Sequence, residues 1–491
     1  MPIRTIALPI SGIDDHDSVA LDEIYCANLR NVRSTRDRID QAPGATLLAP
    51  APMLAGADPG FGIRVGSFAM ATATGDQVIT HGLGANPKAI IFFTSGSVAT
   101  STTESNYHWG YGFTDLTTSR SVSFAAQTAV SPSNTSRRSS AKAISLCQWG
   151  EALIADGDVT AVTTTTMTVN WTTVDGNARM IGYVVLGGNN INAKVIEWTL
   201  NTSTGNQALA TVGFTPQLVW HLLGDQNAAG TTATGKWGLG VMSAAAQWAV
   251  SDVTTDNSSI SGGGNNPQRT GKIQKTDHCL IMGNFTPAST TGDYQAKFVS
   301  MDANGFTVNI DTAPASAKKV YSLAINGVQS VKVGSFNRTT AGAPVKQAVT
   351  AVGFKPNFLL LSSQDVTPPF PSSGGTVPLI QAGPARTLGV GDGMSMAHSV
   401  LRDNESMPTA TNSQFRTDAI LAQWRPGDGI IRNVGSLFSF DSDGFTLNWT
   451  QNDPLGAQIE VYVAIRYQTG GGVDALGVRS EERRVGKECR L

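Results

Sequence analysis

Charge is scarce in this chain: Asp, Glu, Lys and Arg make up 15% of its 491 residues, against ~25% in ordinary soluble domains. The charge present nearly cancels, at a formal net of −2, and no sustained Lys/Arg face runs through the body of the sequence. An electrostatic footprint for nucleic acid or for an anionic membrane is therefore missing. No apolar run approaches the ~20 residues of a membrane-spanning helix. The first ten residues hold a single Arg and no apolar signal-peptide segment, so a soluble protein without membrane insertion, made in the cytoplasm, is expected. Cysteine is rare too, with four in all. Cys147 in Ala-Ile-Ser-Leu-Cys and Cys279 in Asp-His-Cys-Leu read as equivalent strand positions, with Leu421 taking the third place. A position that accepts Cys or Leu is a small apolar core site, and no second Cys lies at ligand or disulfide spacing.

Patterns for catalysis and metal binding are missing as well. The six His (16, 81, 108, 221, 278, 398) stand singly, with no His-x-x-x-His or His-Glu-x-x-His pair to hold zinc. There is no Gly-x-Ser-x-Gly elbow and no acid pair recurring through the chain. Asp441-Ser-Asp-Gly444 and Asp302-Ala-Asn-Gly305 open like calcium loops, but no Glu follows at the closing position, and a tight hairpin turn explains both. Gly389-Val-Gly-Asp-Gly393 echoes a phosphate-binding loop without the helix that should follow it, and reads as a turn or bulge. The expectation is no catalytic residue, no metal and no cofactor.

What the chain does have is Gly, Thr, Ser, Ala and Asn in abundance, a balance that favours strands and turns. It also has a repeat. Asp441-Ser-Asp-Gly-Phe-Thr-Leu-Asn-Trp449 returns as Asp302-Ala-Asn-Gly-Phe-Thr-Val-Asn309 and, degraded, as Met167-Thr-Val-Asn-Trp171, and the same 139-residue step separates Met167, Phe306 and Phe445. Alternating apolar and polar residues after an Asn/Asp-Gly turn predict the second strand of a hairpin with one face buried.

Other landmarks recur in fixed order. Val65-Gly-Ser-Phe68 and Val333-Gly-Ser-Phe336 open two of the copies, and the looser Ala193-Lys-Val-Ile-Glu-Trp198 opens the middle one. A Pro then leads into a run apolar on both faces: Leu83-Gly-Ala-Asn-Pro-Lys-Ala-Ile-Ile-Phe-Phe93, Val212-Gly-Phe-Thr-Pro-Gln-Leu-Val-Trp220 and Val352-Gly-Phe-Lys-Pro-Asn-Phe-Leu-Leu-Leu361. That predicts a central strand covered on two sides, with Pro at its start where no donor is needed. A Gly-spaced strand follows in Trp109-Gly-Tyr-Gly-Phe113, Trp237-Gly-Leu-Gly-Val241 and Thr387-Leu-Gly-Val-Gly391, one bare face of which must be approached closely by another layer or a ligand. The closing strands carry Tyr183, Tyr321 and Tyr462.

Eight to ten short strands per ~130-residue module, broken by Gly, Asn and Pro, predict an all-β chain of three tandem β-sandwich, jelly-roll-like modules after an extended N-terminal arm. The boundaries are an assembly arm at 1–62, modules at 63–190, 191–328 and 329–468, and a Gly linker with tail at 469–491. Three copies either stand as beads or close into a pseudo-trimer, and homo-oligomers are open as well.

Two stretches resemble known proteins. Leu8-Pro-Ile-Ser-Gly-Ile-Asp14, leading into Asn31-Val32 and then Pro43-Gly44, resembles the N-terminal arm of tailed-phage virion proteins. The early Gly-Phe-x-Pro words at 211–220 and 352–361, with the late Asp-Ser-Asp-Gly-Phe-Thr-Leu at 440–449, resemble a family of tandem repeats in phage structural proteins, associated with virions and lectin-like sandwich folds. The first module departs from the pattern, with Thr163-Thr-Thr-Thr166 in place of the Asp-x-Asp-Gly turn, and the Trp closing the early strand survives only as Trp220. The last thirteen residues, Arg479 to Leu491, resemble a translated sequencing adapter and are set aside from the fold.

The resemblance implies a virion location, other virion proteins as partners through the arm, and a non-catalytic structural role in tail, fibre or capsid. The alternative is a receptor-binding adhesin that recognises host surface glycan. Sugar rings stack on exposed aromatics, and Trp109, Tyr111 and Trp237 on the Gly-spaced strands are the candidates. A depolymerase is the third class, without an acid pair to carry it. On the adhesin reading, Trp109→Ala combined with Trp237→Ala removes glycan binding, which a glycan array measures directly.

Overall fold

A computed structural model describes residues 4–6, 32–35, 38–41, 62–259, 270–284, 292–363, 385–391, 395–402, 409, 411–424, 431–454 and 458–467. The described chain is all-β, and it divides into two compact units, Met1–Ala57 and Asp58–Leu491. In the first, Arg4–Ile6, Arg38–Gln41 and Val32–Thr35 make a three-stranded antiparallel sheet with Arg38–Gln41 in the middle. The region expected to be an extended arm thus carries a small sheet. Residues 7–31 and 42–61, most of the expected arm, and the 469–491 tail lie outside the described residues.

The second unit holds three β-sandwiches, each of a larger and a four-stranded sheet. The larger sheets share one strand order. In the middle module it runs Asn192–Leu200, Lys318–Asn326, Leu218–Leu223, Gly235–Ser243, Gln247–Thr254, Thr270–Lys275, all antiparallel. The first and third modules repeat it from Gly62–Ala69 and Ser330–Asn337. The hairpin strands Thr166–Thr173, Gly305–Thr312 and Gly444–Gln451 sit inside the small sheets, with Met167, Phe306 and Phe445 buried at matching places.

Strand pairing explains the Gly spacing. A Cβ on Gly112 would lie 2.2 Å from the Ala143 carbonyl oxygen, and one on Gly240 would lie 1.8 Å from that of Cys279. The bare face is where the small sheet's edge backbone packs on the larger sheet.

Pairing also corrects three sequence alignments. Leu421 pairs Gly435 as Ile144 pairs Gly157 and Leu280 pairs Ala296, so Cys147 and Cys279 occupy different places. Both thiols are nevertheless free and buried. In the third module Leu388, not Gly389, pairs as Tyr111 and Leu239 do, which moves that Gly-spaced strand by one residue. Tyr183 and Tyr462 are matched by Ser322, and Tyr321 points to the opposite face. The middle module compensates across the strand pair. Where Gly66 and Gly334 leave space for the Tyr183 and Tyr462 rings, Ile196 faces the small Ser322. Trp198, in the place of Phe68 and Phe336, donates its Nε1–H to Ser322 Oγ at 2.8 Å. Large-small and small-large pairs fill the same volume.

A glutamine device, unseen in the sequence, is common to all three modules. Gln77, Gln207 and Gln347 each accept a backbone N–H at Oε1 (Ala71, Asn201, Thr339; 2.9–3.0 Å). Each donates Nε2–H to a carbonyl of the preceding strand (Ala69, Thr199, Asn337; 2.7–2.8 Å). The side chain clips the connection between the opening strand and the small sheet, satisfying backbone groups that a loop would leave bare.

The central strands are apolar on both faces because they serve two cores. Ile90 and Phe92, Val219 and Leu223, and Leu359 and Leu361 face their own module's interior. Their neighbours Ile91 and Phe93, Trp220 and Leu222, and Phe358 and Leu360 join one core fed by all three modules. The three larger sheets therefore close on each other as a pseudo-trimer. Each pair of modules is joined. Module two's Gly230–Ala233 extends module one's sheet at Thr135–Ser140, and module one's Glu104–Ser105 extends module three's at Thr411–Arg416. Between modules two and three, Trp248 Nε1 donates to the Tyr462 carbonyl at 3.1 Å and Gln274 Nε2 to that of Ile459 at 3.0 Å.

A shared core couples the modules energetically. Trp248→Ala should cost ~3–5 kcal/mol and shift the urea unfolding of the whole second unit as one transition. Three separable transitions, with only one displaced, would contradict the shared core.

Candidate functional site

Trp109, Tyr111 and Trp237 lie inside the shared core at 0%, 1% and 1% exposure. Trp109 stacks on Trp237 with centroids 3.6 Å apart, and on Tyr111 at 6.0 Å. Strand alternation gives the reason: Gly110 and Gly112 meet the small sheet, so the rings between them point the other way, into the seam between modules one and two. No ring face is open to a sugar at any of the three. Burial raises the Tyr111 phenol pKa.

The other marked residues whose side chains are described are structural, while His16 and Asp392–Gly393 lie outside the described residues. Asp302 accepts hydrogen bonds from Ser300 and Thr307, and Asp441 from Ser439 and Thr446, all at 2.6–2.7 Å. Asp443 accepts the Ala351 and Gly353 N–H groups, tying the turn to the Gly-Phe-x-Pro segment. The Asn304 carbonyl does the same for Val212 and Gly213, and those of Thr164 and Thr165 for His81, Gly82 and Gly84. Ser322 Oγ and His221 Nδ1 are 2.8 Å apart, but neither has exposed surface, so the pair belongs to the core. His278 lies between Asp277 (2.7 Å) and Asp311 (2.9 Å). Among the described residues no group of three or more His, Cys, Asp or Glu is placed to hold a metal ion.

One cleft gathers chemistry that the sequence did not announce. It measures about 360 Å³, lies on the seam of modules one and two, and is lined by Arg137, Asp225, Gln226, Asn227, Ala228, Ala229, Gly230, Thr231, Thr232, Ser316 and Lys318. Arg137 comes from module one and the rest from module two. The Asp225 carboxylate meets three cations: Lys318 at 3.0 Å and Arg137 and Lys236 at 3.6 Å. Lys236 also reaches Asp293. Arg137 is held by the Ala233, Thr234 and Asp225 carbonyls, and Gln226 Nε2 donates to Gly230 O and Thr232 Oγ1. Lys318, with 21% of its side chain exposed, is the most accessible of the three cations.

The corresponding seam between modules three and one keeps a cation but lacks the carboxylate and the arginine across the seam. Pairing registers put Gly96 in the place of Asp225, Ser413 in that of Arg137 and Arg179 in that of Lys318. Arg179 donates to the Gly96 carbonyl at 2.6 Å and pairs with Asp175 on its own loop. Gly96 has φ +71° and Asp225 φ +52°, so module two places a carboxylate where the backbone favours glycine. Thr234, whose carbonyl holds Arg137, is β-branched and also left-handed, at φ +69°, a sparsely populated state of the kind concentrated at functional sites. The available signal was Arg137-Arg138 inside a strand of a charge-poor chain. Arg138 is satisfied by Asp156 at 2.9 Å.

No family model, curated protein or solved structure matches this chain.

Two buried histidines set an acid limit on the scaffold that frames the cleft. Burial lowers both His108 and His221 to about 3, with the Arg179 charge adding to the effect at His108. Against an unfolded value of ~6.5, their contribution is complete above that pH and is lost as pH falls towards 3, because the unfolded chain takes up the proton first. Urea midpoints should drop between pH 7 and pH 5, above the carboxylate range, and His221→Gln should flatten that drop; an equal slope in the variant would refute the assignment.

Proposed function

We propose that this chain is a non-catalytic structural protein of a tailed-phage virion, in a tail, fibre or capsid-associated position. The observation that carries the reading is the closure of three sandwiches around one core, which suits a rigid block that holds its shape in an assembly. The resemblance over about residues 6–47 and in the repeats supplies the virion context. The separate N-terminal unit is the segment assigned to bind other virion proteins. Mass spectrometry of purified, nuclease-treated particles should find peptides from all three modules at a fixed stoichiometry to the major virion proteins. Their absence from particles, with the protein free in the lysate, would overturn the reading.

A second reading, that the protein also attaches to host surface glycan, is favoured by the seam cleft. It moves the candidate ligand residues from Trp109, Tyr111 and Trp237 to the polar lining around Asp225 and Lys318.

A further inference from the structure

We propose that the cleft between the first two modules binds an acidic saccharide, a hydroxyl-rich ring that carries a carboxylate. This rests on the adhesin reading and names its ligand class.

Small-molecule sites are mostly apolar, with a few placed polar groups, and span ~300–1,000 Å³. This cleft is near the lower bound at about 360 Å³, and its only apolar side chains are Ala228 and Ala229. Such a lining offers little to a flat hydrophobic ligand. Its hydroxyls, amides and carboxylate match a short sugar instead, whose surface is donors and acceptors.

Charge narrows the class. Arg137 and Lys318 line the cleft against the single carboxylate of Asp225, while Lys236, on the far side of Asp225, is balanced by Asp293. One positive charge in the lining is left over, and a ligand carboxylate would complete it through a charge-assisted hydrogen bond to Lys318. Asp225 and Gln226 remain as acceptors for ring hydroxyls. A compact dianion such as hydrogen phosphate would bring its charge up to Asp225 and, with a single hydroxyl donor, satisfy fewer of these acceptors than a sugar ring.

Closure of the pseudo-trimer does not require these groups. The seam of modules three and one also exchanges a strand, yet holds Gly96, Ser413 and Arg179 at the equivalent positions, with Arg179 neutralised locally by Asp175. Asp225 sits in a left-handed conformation that a glycine would adopt more readily. The seam of modules three and one thus closes without a carboxylate at this place, and Asp225, held at a backbone cost, points to a task beyond joining modules one and two.

The test is calorimetric titration of the full chain with sialyllactose and digalacturonate, with their neutral counterparts lactose and methyl-esterified digalacturonate, and with inorganic phosphate. Acidic sugars should bind at least tenfold more tightly than the neutral ones and than phosphate. Lys318→Gln should lose at least tenfold of that binding with an unchanged melting temperature, Lys318→Arg should keep it, and the exposed control Lys88→Gln should match the parent chain. Neutral sugars binding equally well, untouched by Lys318→Gln, would leave the adhesin reading standing and overturn the ligand class. Phosphate binding as tightly as the acidic sugars would reduce the cleft to a simple anion site. Binding of no sugar, on these titrations or on a glycan array, would overturn the adhesin reading and this proposal together.

Discussion

A sheet that is apolar on one face is satisfied by one partner layer. The larger sheet of each module here is apolar on both faces and needs two. One partner is the module's own small sheet. The other has to come from outside the module, and the chain supplies it by folding two further copies against the first. Alternate residues of the same strand, Ile90 against Ile91 or Leu359 against Leu360, therefore belong to different cores. A single module, or three modules strung as beads, would leave a broad apolar face in water, which soluble chains avoid.

Several local features follow from that constraint. Large rings gather where three sheets converge, and the Trp109–Trp237 stack fills the seam of modules one and two. Sheet edges are a hazard when open, and at two seams they are closed by short strands lent by the next copy, Gly230–Ala233 and Glu104–Ser105. The copies are free to diverge inside this frame wherever volume is preserved. The exchange of Gly66 and Tyr183 for Ile196 and Ser322 is one case, with Trp198 and His221 lining the hydroxyl that replaces a phenol.

Divergence at the seams matters for function in a different way. Seams are where residues from two modules meet, so a substitution there builds chemistry that no single module contains. The Asp225 cleft arises like this: one strand of module one brings Arg137, and the loop and closing strand of module two bring Asp225, Gln226 and Lys318. The seam of modules three and one, with Gly96, Ser413 and Arg179 at the corresponding places, holds no such carboxylate between two modules.

The all-β class, the three modules and the doubly buried strands were legible in the sequence, because side-chain period, Pro and Gly placement and the 139-residue step are properties of the chain itself. The Gly-spaced strands also announced a close approach, and the approaching layer is the Ala143 and Cys279 backbone. Register by one residue was not legible: composition tolerates Tyr321 on either face, and only the pairing of Ser322 with His221 and of Tyr321 with Leu222 shows that Ser322 takes the tyrosine place. Nor was the destination of the rings. A Trp beside a bare glycine face is equally suited to ligand or neighbour until the sheets are assembled. Strands, copies and the faces that avoid water are thus written in the order of the residues. That those faces meet each other, burying Trp109, Tyr111 and Trp237 and bringing Arg137 to Asp225, emerges when the sheets assemble, because both outcomes depend on contacts between residues 88 or more positions apart.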